Sequence, residues 1–448
     1  MIEQKYIDEV LDKVDLTEVA EDHGITLKLK GHRAWACCPF HNEDTASFCI
    51  DTAKNLWYCH GCNKGGNVIN FAMETDGLTF PLAVKKLLKE KLGHDLTDKE
   101  MKSTPEEEGK HKKRESMRII NDRLATFFAE QLQKDTEDAR MAKAYMLSRW
   151  NEKYCQEQRI GYAPKDWHSV VDYATKTGLS LDLLQEMGIL RVSERTKKLY
   201  CVYRNRIMIP IRDRYGNIEG FTARALDDTV ECKYLNSADS ELFHKAHSVF
   251  GIESAIRTAK NEGKLFLVEG APDVIRLHSL GIFNAVASLG GSWTEKQFRK
   301  LKEYRLDDCT LCFIPDSDVP KNGAKMGSGF LNVLRNGAIA MQQGFTVSVR
   351  EIPNDLSSGN PKKVDPDDFI KDRSDLARLA EREFLLWAFD KWFDRCGTAE
   401  EKQKVIDETC DLLLFVKDDA IMGRYVSELA RMDGGKTVWR QAINAAKM

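Results

Sequence analysis

Residues 264–318 read KLFLVEGAPDVIRLHSLGIFNAVASLGGSWTEKQFRKLKEYRLDDCTLCFIPDSD, and their rhythm decides the fold class. KLFLVEG, FNAVASLGG and TLCFIP are short apolar runs with strand character. Between them lie helix-like segments such as APDVIRLHSLG, and after a further helix comes another strand, FTVSVREIP at 345–353. Strands that alternate with helices predict a mostly parallel sheet, so this region is α/β. It is bounded here at 261–373, and the charged, helically periodic remainder, 374–448, is expected to be helical.

Acidic residues follow three of these strands. KLFLVEG ends on Glu269, TLCFIP runs into Asp316-Ser317-Asp318, and FTVSVREI is followed by Val364-Asp365-Pro366-Asp367-Asp368. In a parallel α/β sheet the carboxyl ends of the strands share one edge, where ligands bind, so the three groups should converge. Carboxylates brought together repel unless a cation neutralises them, and hard oxygen ligands suit Mg2+ or Mn2+. Two such ions support phosphoryl chemistry, one activating a hydroxyl and the other offsetting charge on the leaving pyrophosphate. A lone Asp-x-Asp is commonly a solvated surface pair; three acidic sites, each after a strand, are far less common.

Residues 38–62, CPFHNEDTASFCIDTAKNLWYCHGC, hold a C-x2-H pair and a C-x2-C pair. A two-residue gap lets a tight turn aim both side chains at one ion, and SFCIDTAKNLWYC alternates well enough for two strands that return the second pair to the first. Cys38, His41, Cys59 and Cys62 therefore predict a zinc ribbon whose closed four-ligand site is structural. Cys37, Cys49 and His60 are nearby spares, and Cys38 is preferred because it alone has the two-residue gap to His41. Trp57 and Phe48 can be read as base-stacking residues or as packing beneath the ribbon.

Between these regions, residues 95–117 are rich in charges of both signs and poor in large apolar residues, the composition of a solvated linker or of a charged surface helix. Residues 118–260 are mixed α and β, with strands around a turn at Tyr215-Gly216-Asn217. Arg204 and Arg206 stand two apart. On one strand they would share a face and offer cations to phosphates, although spacing alone fits an exposed strand face of solvated charges better.

The chain of 448 residues is long enough for several domains, and its hydrophobic and charged fractions, 42% and 31%, are those of a globular protein. No apolar run reaches membrane-spanning length, and the acidic amphipathic start is unlike a secretory signal, so a cytoplasmic place is expected. That expectation favours reduced thiols and metal ligation for the 12 cysteines over disulfides. A formal net charge of -3 leaves nucleic-acid binding to local basic surface. No phosphate-binding G-x4-G-K-[ST] loop occurs, which excludes a fused helicase motor.

Three sets of motifs resemble the bacterial DnaG-type DNA primases. CPFHNEDTASF, WYCHGCNKGGNVINFAM and LTFPLAVKKL look like the family's zinc ribbon over residues 8–93. YRNRIMIPIRD, GFTAR, KYLNS and LFHK look like its polymerase core over 159–255, and VEGAPDVI with the later Asp clusters looks like its Toprim fold. The core likeness discriminates against topoisomerases and Toprim nucleases, which lack that neighbour, and the acidic motifs speak against a non-catalytic replication accessory. The resemblance implies an α/β multidomain chain: a template-binding zinc ribbon (1–94), a linker (95–117), a mixed α+β polymerase core (118–260), a Toprim domain (261–373) and carboxy-terminal helices (374–448).

It further implies RNA primer synthesis on single-stranded DNA from ribonucleoside triphosphates by two-metal nucleotidyl transfer. Glu269, Asp316 and Asp318 would be catalytic. Together with Asp365 and Asp367 they would hold Mg2+ or Mn2+, while one structural zinc sits on the ribbon. Arg204, Arg206, Arg224, Lys233 and Lys245 would line the groove for template or nucleotide. A separate replicative helicase is the implied partner, and a short phage or mobile-element form the implied origin. Pro272 in the first acidic motif and DSDVPKNGAKMG after the second depart from the family pattern; the latter puts the local loop in doubt.

Overall fold

The structure is a computed structural model that describes residues 2–96 apart from 42 and 63, 105–317 apart from 228 and 231, residue 320, residues 326–354, residues 362–433 apart from 417, and Trp439. The chain divides into two compact units, Met1–His244 with Ile252–Thr258, and Lys245–Gly251 with Ala259–Met448.

The second unit is built on a six-stranded sheet in the order Val249–Phe250, Ala285–Ser288, Lys264–Val268, Thr310–Phe313, Val347–Arg350, Glu381–Glu383. The four inner strands are parallel and the two edge strands antiparallel. Ala285–Ser288 is buried throughout and Lys264–Val268 from its second residue on, which is why these segments read as continuous apolar runs rather than alternating ones. Helices Ala271–Ser279, Glu295–Glu303 and Ser328–Gln342 make the crossovers. The strand after Lys264–Val268 lies on one side of it and the next on the other, so the winding reverses between Lys264–Val268 and Thr310–Phe313. Such a switch point opens a crevice at the carboxyl ends of the strands.

Two expected boundaries move. The helical tail was expected from 374, but Glu381–Glu383 is the edge strand of the sheet, pairing with Val347–Arg350 before the helices Phe384–Phe393, Ala399–Leu413 and Asp419–Asp433 begin. Glu381 belongs there because it accepts from Ser348 and Arg350 of the adjacent strand and from Lys264 of a strand further in. Residues 245–251, placed in the middle domain by sequence, supply the opposite edge strand.

In the first unit the amino-terminal region is a five-stranded antiparallel meander, from Lys28–Lys30 to Gly65–Gly66, over a cluster that includes Phe48, Ile50, Trp57 and Phe71. The middle region is a four-stranded antiparallel sheet ordered Tyr234–Asn236, Ile218–Ala225, Arg206–Arg212, Gly161–Ala163. It packs on the helix Pro105–Leu132, whose Met117, Ile120, Leu124 and Phe128 are buried at helical spacing. A side chain at position 161 would place its Cβ 2.3 Å from the Phe128 carbonyl carbon, so only glycine lets the strand approach this helix.

That helix also corrects the linker. Residues 105–117 form its leading turns, because Glu, Lys and Arg are good helix formers and the apolar stripe that follows anchors them. Residues 97–104 lie outside the described residues.

The hairpin turn at Asp213–Gly216 joins the two halves of this unit. Its Tyr215 packs against the ribbon cluster, donates from its hydroxyl to Asp8 Oδ1 at 3.0 Å and accepts at its carbonyl from Asn67 Nδ2 at 2.9 Å. Arg33 and Glu157 add a two-pronged ion pair at 2.7 and 3.0 Å.

Candidate active site and metal centre

Cys38, His41, Cys59 and Cys62 present one ligand atom each, all within 4.8 Å of one another. Cys38 Sγ lies 3.8 Å from Cys62 Sγ, and Cys59 Sγ 3.8 Å from His41 Nδ1. A tetrahedral zinc with bonds of about 2.3 Å to sulfur has ligand-to-ligand edges of about 3.8 Å, so the spacing and the soft donors fit that ion. Nδ1 of His41 faces the site because Nε2 is held by Glu43 Oε2 at 3.1 Å, while Glu43 Oε1 accepts from the amides of Cys38 (2.6 Å) and Ser47 (3.1 Å). This carboxylate fixes both the ring and the first knuckle. A Cβ on Gly61 would lie 2.4 Å from His41 Nε2, which accounts for the glycine of Cys-His-Gly-Cys.

The spare ligands point elsewhere. His60 stacks on Trp35 with centroids 5.8 Å apart, Cys37 is exposed, and Cys49 is buried in the strand Phe48–Asp51. Phe48 and Trp57 are 0% and 3% exposed and pack with Phe40 and Phe71, so both lie beneath the ribbon rather than offering a stacking surface.

The carboxylates gather at the switch point of the second unit. Glu269 follows Lys264–Val268 directly and Asp316 follows Thr310–Phe313. Asp365 caps the short helix Pro366–Phe369, its Oδ1 accepting from the Asp368 amide at 2.8 Å. Val364 and Ser317 tie the two loops together. The Ser317 amide donates to the Val364 carbonyl at 2.8 Å, and the Val364 amide to Ser317 Oγ at 2.7 Å.

Burial, then the neighbouring Asp316, raises the pKa of Glu269, and burial likewise raises that of Asp365. Among the described residues, Oε1 of Glu269 and Oδ1 of Asp316 are buried without a hydrogen-bond partner. Two orphaned carboxylate oxygens facing repulsive neighbours are the donor set a divalent cation satisfies, so Glu269, Asp316 and Asp365 fit such an ion. Asp318 lies outside the described residues.

Asp367 is placed differently from the expectation that it ligates metal. It is 0% exposed and accepts from Arg276 Nε at 2.8 Å, and its amide donates to Asp273 Oδ1 at 3.1 Å. Asp273 is buried too, accepting from the Gly270 amide at 2.9 Å, and burial raises its pKa well above the ordinary value. Asp273 and Arg276 share one face of the helix Ala271–Ser279 and clamp the loop that carries Asp365. Arg276 had a sequence signal only in standing three residues after Asp273.

The five basic residues do not form one stripe. The strand begins at Arg206, and Asn205 before it turns with φ 51°, so Arg204 and Arg206 do not share a strand face. Arg204 is exposed and lies over the Trp167 ring at 4.4 Å. Arg206 donates to the carbonyls of Ala223, Cys232 and Lys233, and Arg224 is buried between Tyr145 and Tyr234. Lys233 is exposed in the first unit; Lys245 is exposed and belongs to the second. Among the described residues no helix is long and apolar enough to cross a membrane.

Comparison with known proteins follows this division. Residues 2–104 match the CHC2 zinc finger, residues 127–256 the N-terminal domain of the DNA primase catalytic core, and residues 266–370 the Toprim-like family. The DNA primase of Clostridium acetobutylicum is 31% identical over 372 residues, 83% of this chain and 57% of that protein. That of Pseudomonas aeruginosa is 34% identical over 318 residues, 70% of this chain and 47% of the relative. The chain thus spans about half the length of the curated relatives it matches. The crystal structure of the zinc-binding and RNA polymerase domains of Aquifex aeolicus primase superposes with a TM-score of 0.64 at 26% identity, covering 97% of this chain and 98% of that one.

Proposed function

The chain belongs to the DnaG-type primases, with their zinc ribbon, catalytic core and Toprim domain in order, and from that premise we propose that it synthesises short RNA primers on single-stranded DNA for replication. The observation that carries the reading is the pair of orphaned carboxylate oxygens on Glu269 and Asp316 at the sheet's switch point. Divalent ions bound there, Mg2+ or Mn2+, would supply the charge that activates a ribonucleotide 3′-hydroxyl and offsets the pyrophosphate.

The chain's own residues do the rest. Glu269, whose Oε1 would face an ion, is also our assignment for the group that takes the proton of the attacking hydroxyl, because burial raises its proton affinity. Asp316 and Asp365, with Asp318, bind the ions. Asp367, paired with Arg276, serves by holding the Asp365 loop in place rather than as a ligand. Arg204 and Lys233, the exposed cations of the core, bind template or triphosphate oxygens, and Arg206 and Arg224 support the sheet that carries them; Lys245, exposed in the other unit, is a separate phosphate contact. The ribbon, its zinc structural, meets the template strand, and a separate helicase supplies that strand in the cytoplasm.

The test is to incubate the protein with single-stranded DNA, labelled ribonucleoside triphosphates and Mg2+, beside Asp316→Ala and Asp318→Ala. Short RNA made by the intact chain and lost in both variants is the expected result. Nicking of DNA without synthesis would overturn the proposal.

A further inference from the structure

The carboxylate site already contains a cation of its own. Lys363 Nζ lies 2.8 Å from Asp316 Oδ2, on the side of the carboxylate opposite the orphaned Oδ1. The field of Lys363 also reaches Glu269, whose negative form it favours, and Asp365. Its backbone is fixed, because the adjacent Val364 is cross-bonded to Ser317 through both amides. Its side chain is not fixed to the same degree: it is 42% exposed, against 13% for Asp316. A lysine on an anchored backbone, reaching a buried carboxylate from the solvent side, can leave that carboxylate without any movement of the chain.

Among the described residues, Arg276 and Lys371 are engaged at Asp367. Arg276 Nε is held by Asp367 Oδ1, and Lys371 Nζ donates to the Asp367 carbonyl at 3.0 Å.

We propose that Lys363 is a displaceable counter-ion that occupies Asp316 in the metal-free enzyme and is exchanged for the first divalent ion. The proposal rests on the divalent-metal reading of this site. A divalent ion on Oδ1 and the ammonium on Oδ2 repel each other across one carboxylate, so metal entry weakens the Lys363–Asp316 pair and favours release of the exposed lysine side chain. Lys363 thereby weakens metal binding and sets the metal concentration at which the site fills, while it keeps the empty carboxylate cluster from destabilising the fold.

The experiment is a Mn2+ titration of the zinc-loaded full chain, followed by the magnetic-resonance signal of free Mn2+, for the natural protein, K363Q, K363R and D316N. K363M provides a second charge-removing variant, and thermal melting without Mn2+ reports folding. Removing the ammonium should tighten Mn2+ binding about three- to tenfold, the size expected when a partly exposed ion pair no longer competes. K363R should stay near the natural value, D316N should lose the site, and K363Q should show a lower melting temperature without Mn2+ but a larger gain with it. Unchanged or weaker Mn2+ binding in both K363Q and K363M, with D316N still deficient, would overturn the counter-ion role alone. A natural protein that binds no Mn2+, or a D316N variant that binds it equally well, would overturn the metal reading itself.

Discussion

The ribbon site and the carboxylate site each collect ligands from separate turns of the chain, yet they wait for their ions in opposite conditions. The ribbon ligands stand at zinc spacing, with Glu43 behind His41 and the knuckle amides already directed at sulfur. At the carboxylates two buried oxygens lack partners among the described residues, and a partly exposed lysine pairs with Asp316. A structural ion contributes folding energy and so requires a site shaped for it alone. An ion that must meet substrate requires open positions, and carboxylates left open are under mutual strain until it arrives.

The largest effect expected from this contrast is that of taking the zinc away. Chelation, or Cys59→Ser with Cys62→Ser, should cost on the order of 10 kcal/mol in the ribbon, seen as lost protection from protease over residues 28–66, with the Toprim unit left folded. Arg276→Met comes next. It removes the guanidinium that pairs with the fully buried Asp367, and should lower stability by about 3–5 kcal/mol in a denaturant melt, far more than loss of an exposed pair. Asp316→Ala should behave in the reverse way, reducing primer synthesis at least about a hundredfold while the metal-free protein melts no earlier, because a repelling charge has gone.

Glu43→Gln should be milder, weakening zinc affinity about 10- to 100-fold in a competition with a chelating dye, since His41 loses its charged support but not its place. The smallest effect should be that of Asp273→Asn on the pH dependence of metal-free stability. A carboxyl whose folded pKa is raised binds its proton more tightly when folded, so its contribution falls as pH climbs from the ordinary aspartate value through the folded one. The natural protein should therefore lose denaturant midpoint over that window relative to the asparagine variant; equal slopes would show Asp273 to be ionised at no cost.

What could be read from sequence was whatever depends on spacing along one stretch of chain. The two-residue gaps select Cys38, His41, Cys59 and Cys62, and acids after apolar strands locate Glu269, Asp316 and Asp365, because strand ends of a parallel sheet share an edge. What escaped depends on partners distant in sequence. Glu381-Arg382-Glu383 reads as a charged tail until Lys264, Ser348 and Arg350 are seen to pair with it. Asp367 reads as the twin of Asp365 until Arg276 is found paired with it, and Arg204 reads as the strand partner of Arg206 because nothing local announces the left-handed turn at Asn205. Residues 105–117 form the opposite case, in which composition pointed to solvent and the apolar stripe from Met117 onward imposed a helix.

Tyr215 carries one further consequence. Its ring, from a hairpin of the middle sheet, completes the cluster that the ribbon's own residues leave unfinished, while Asn67 and Asp8 hold its carbonyl and hydroxyl. Folding of the two halves is then thermodynamically linked. The free energy by which an ordered hairpin tightens zinc binding equals the free energy by which bound zinc steadies the hairpin. The ribbon's affinity for its ion thus becomes a gauge of order in a turn well over a hundred residues away, legible without touching either the template or the catalytic carboxylates.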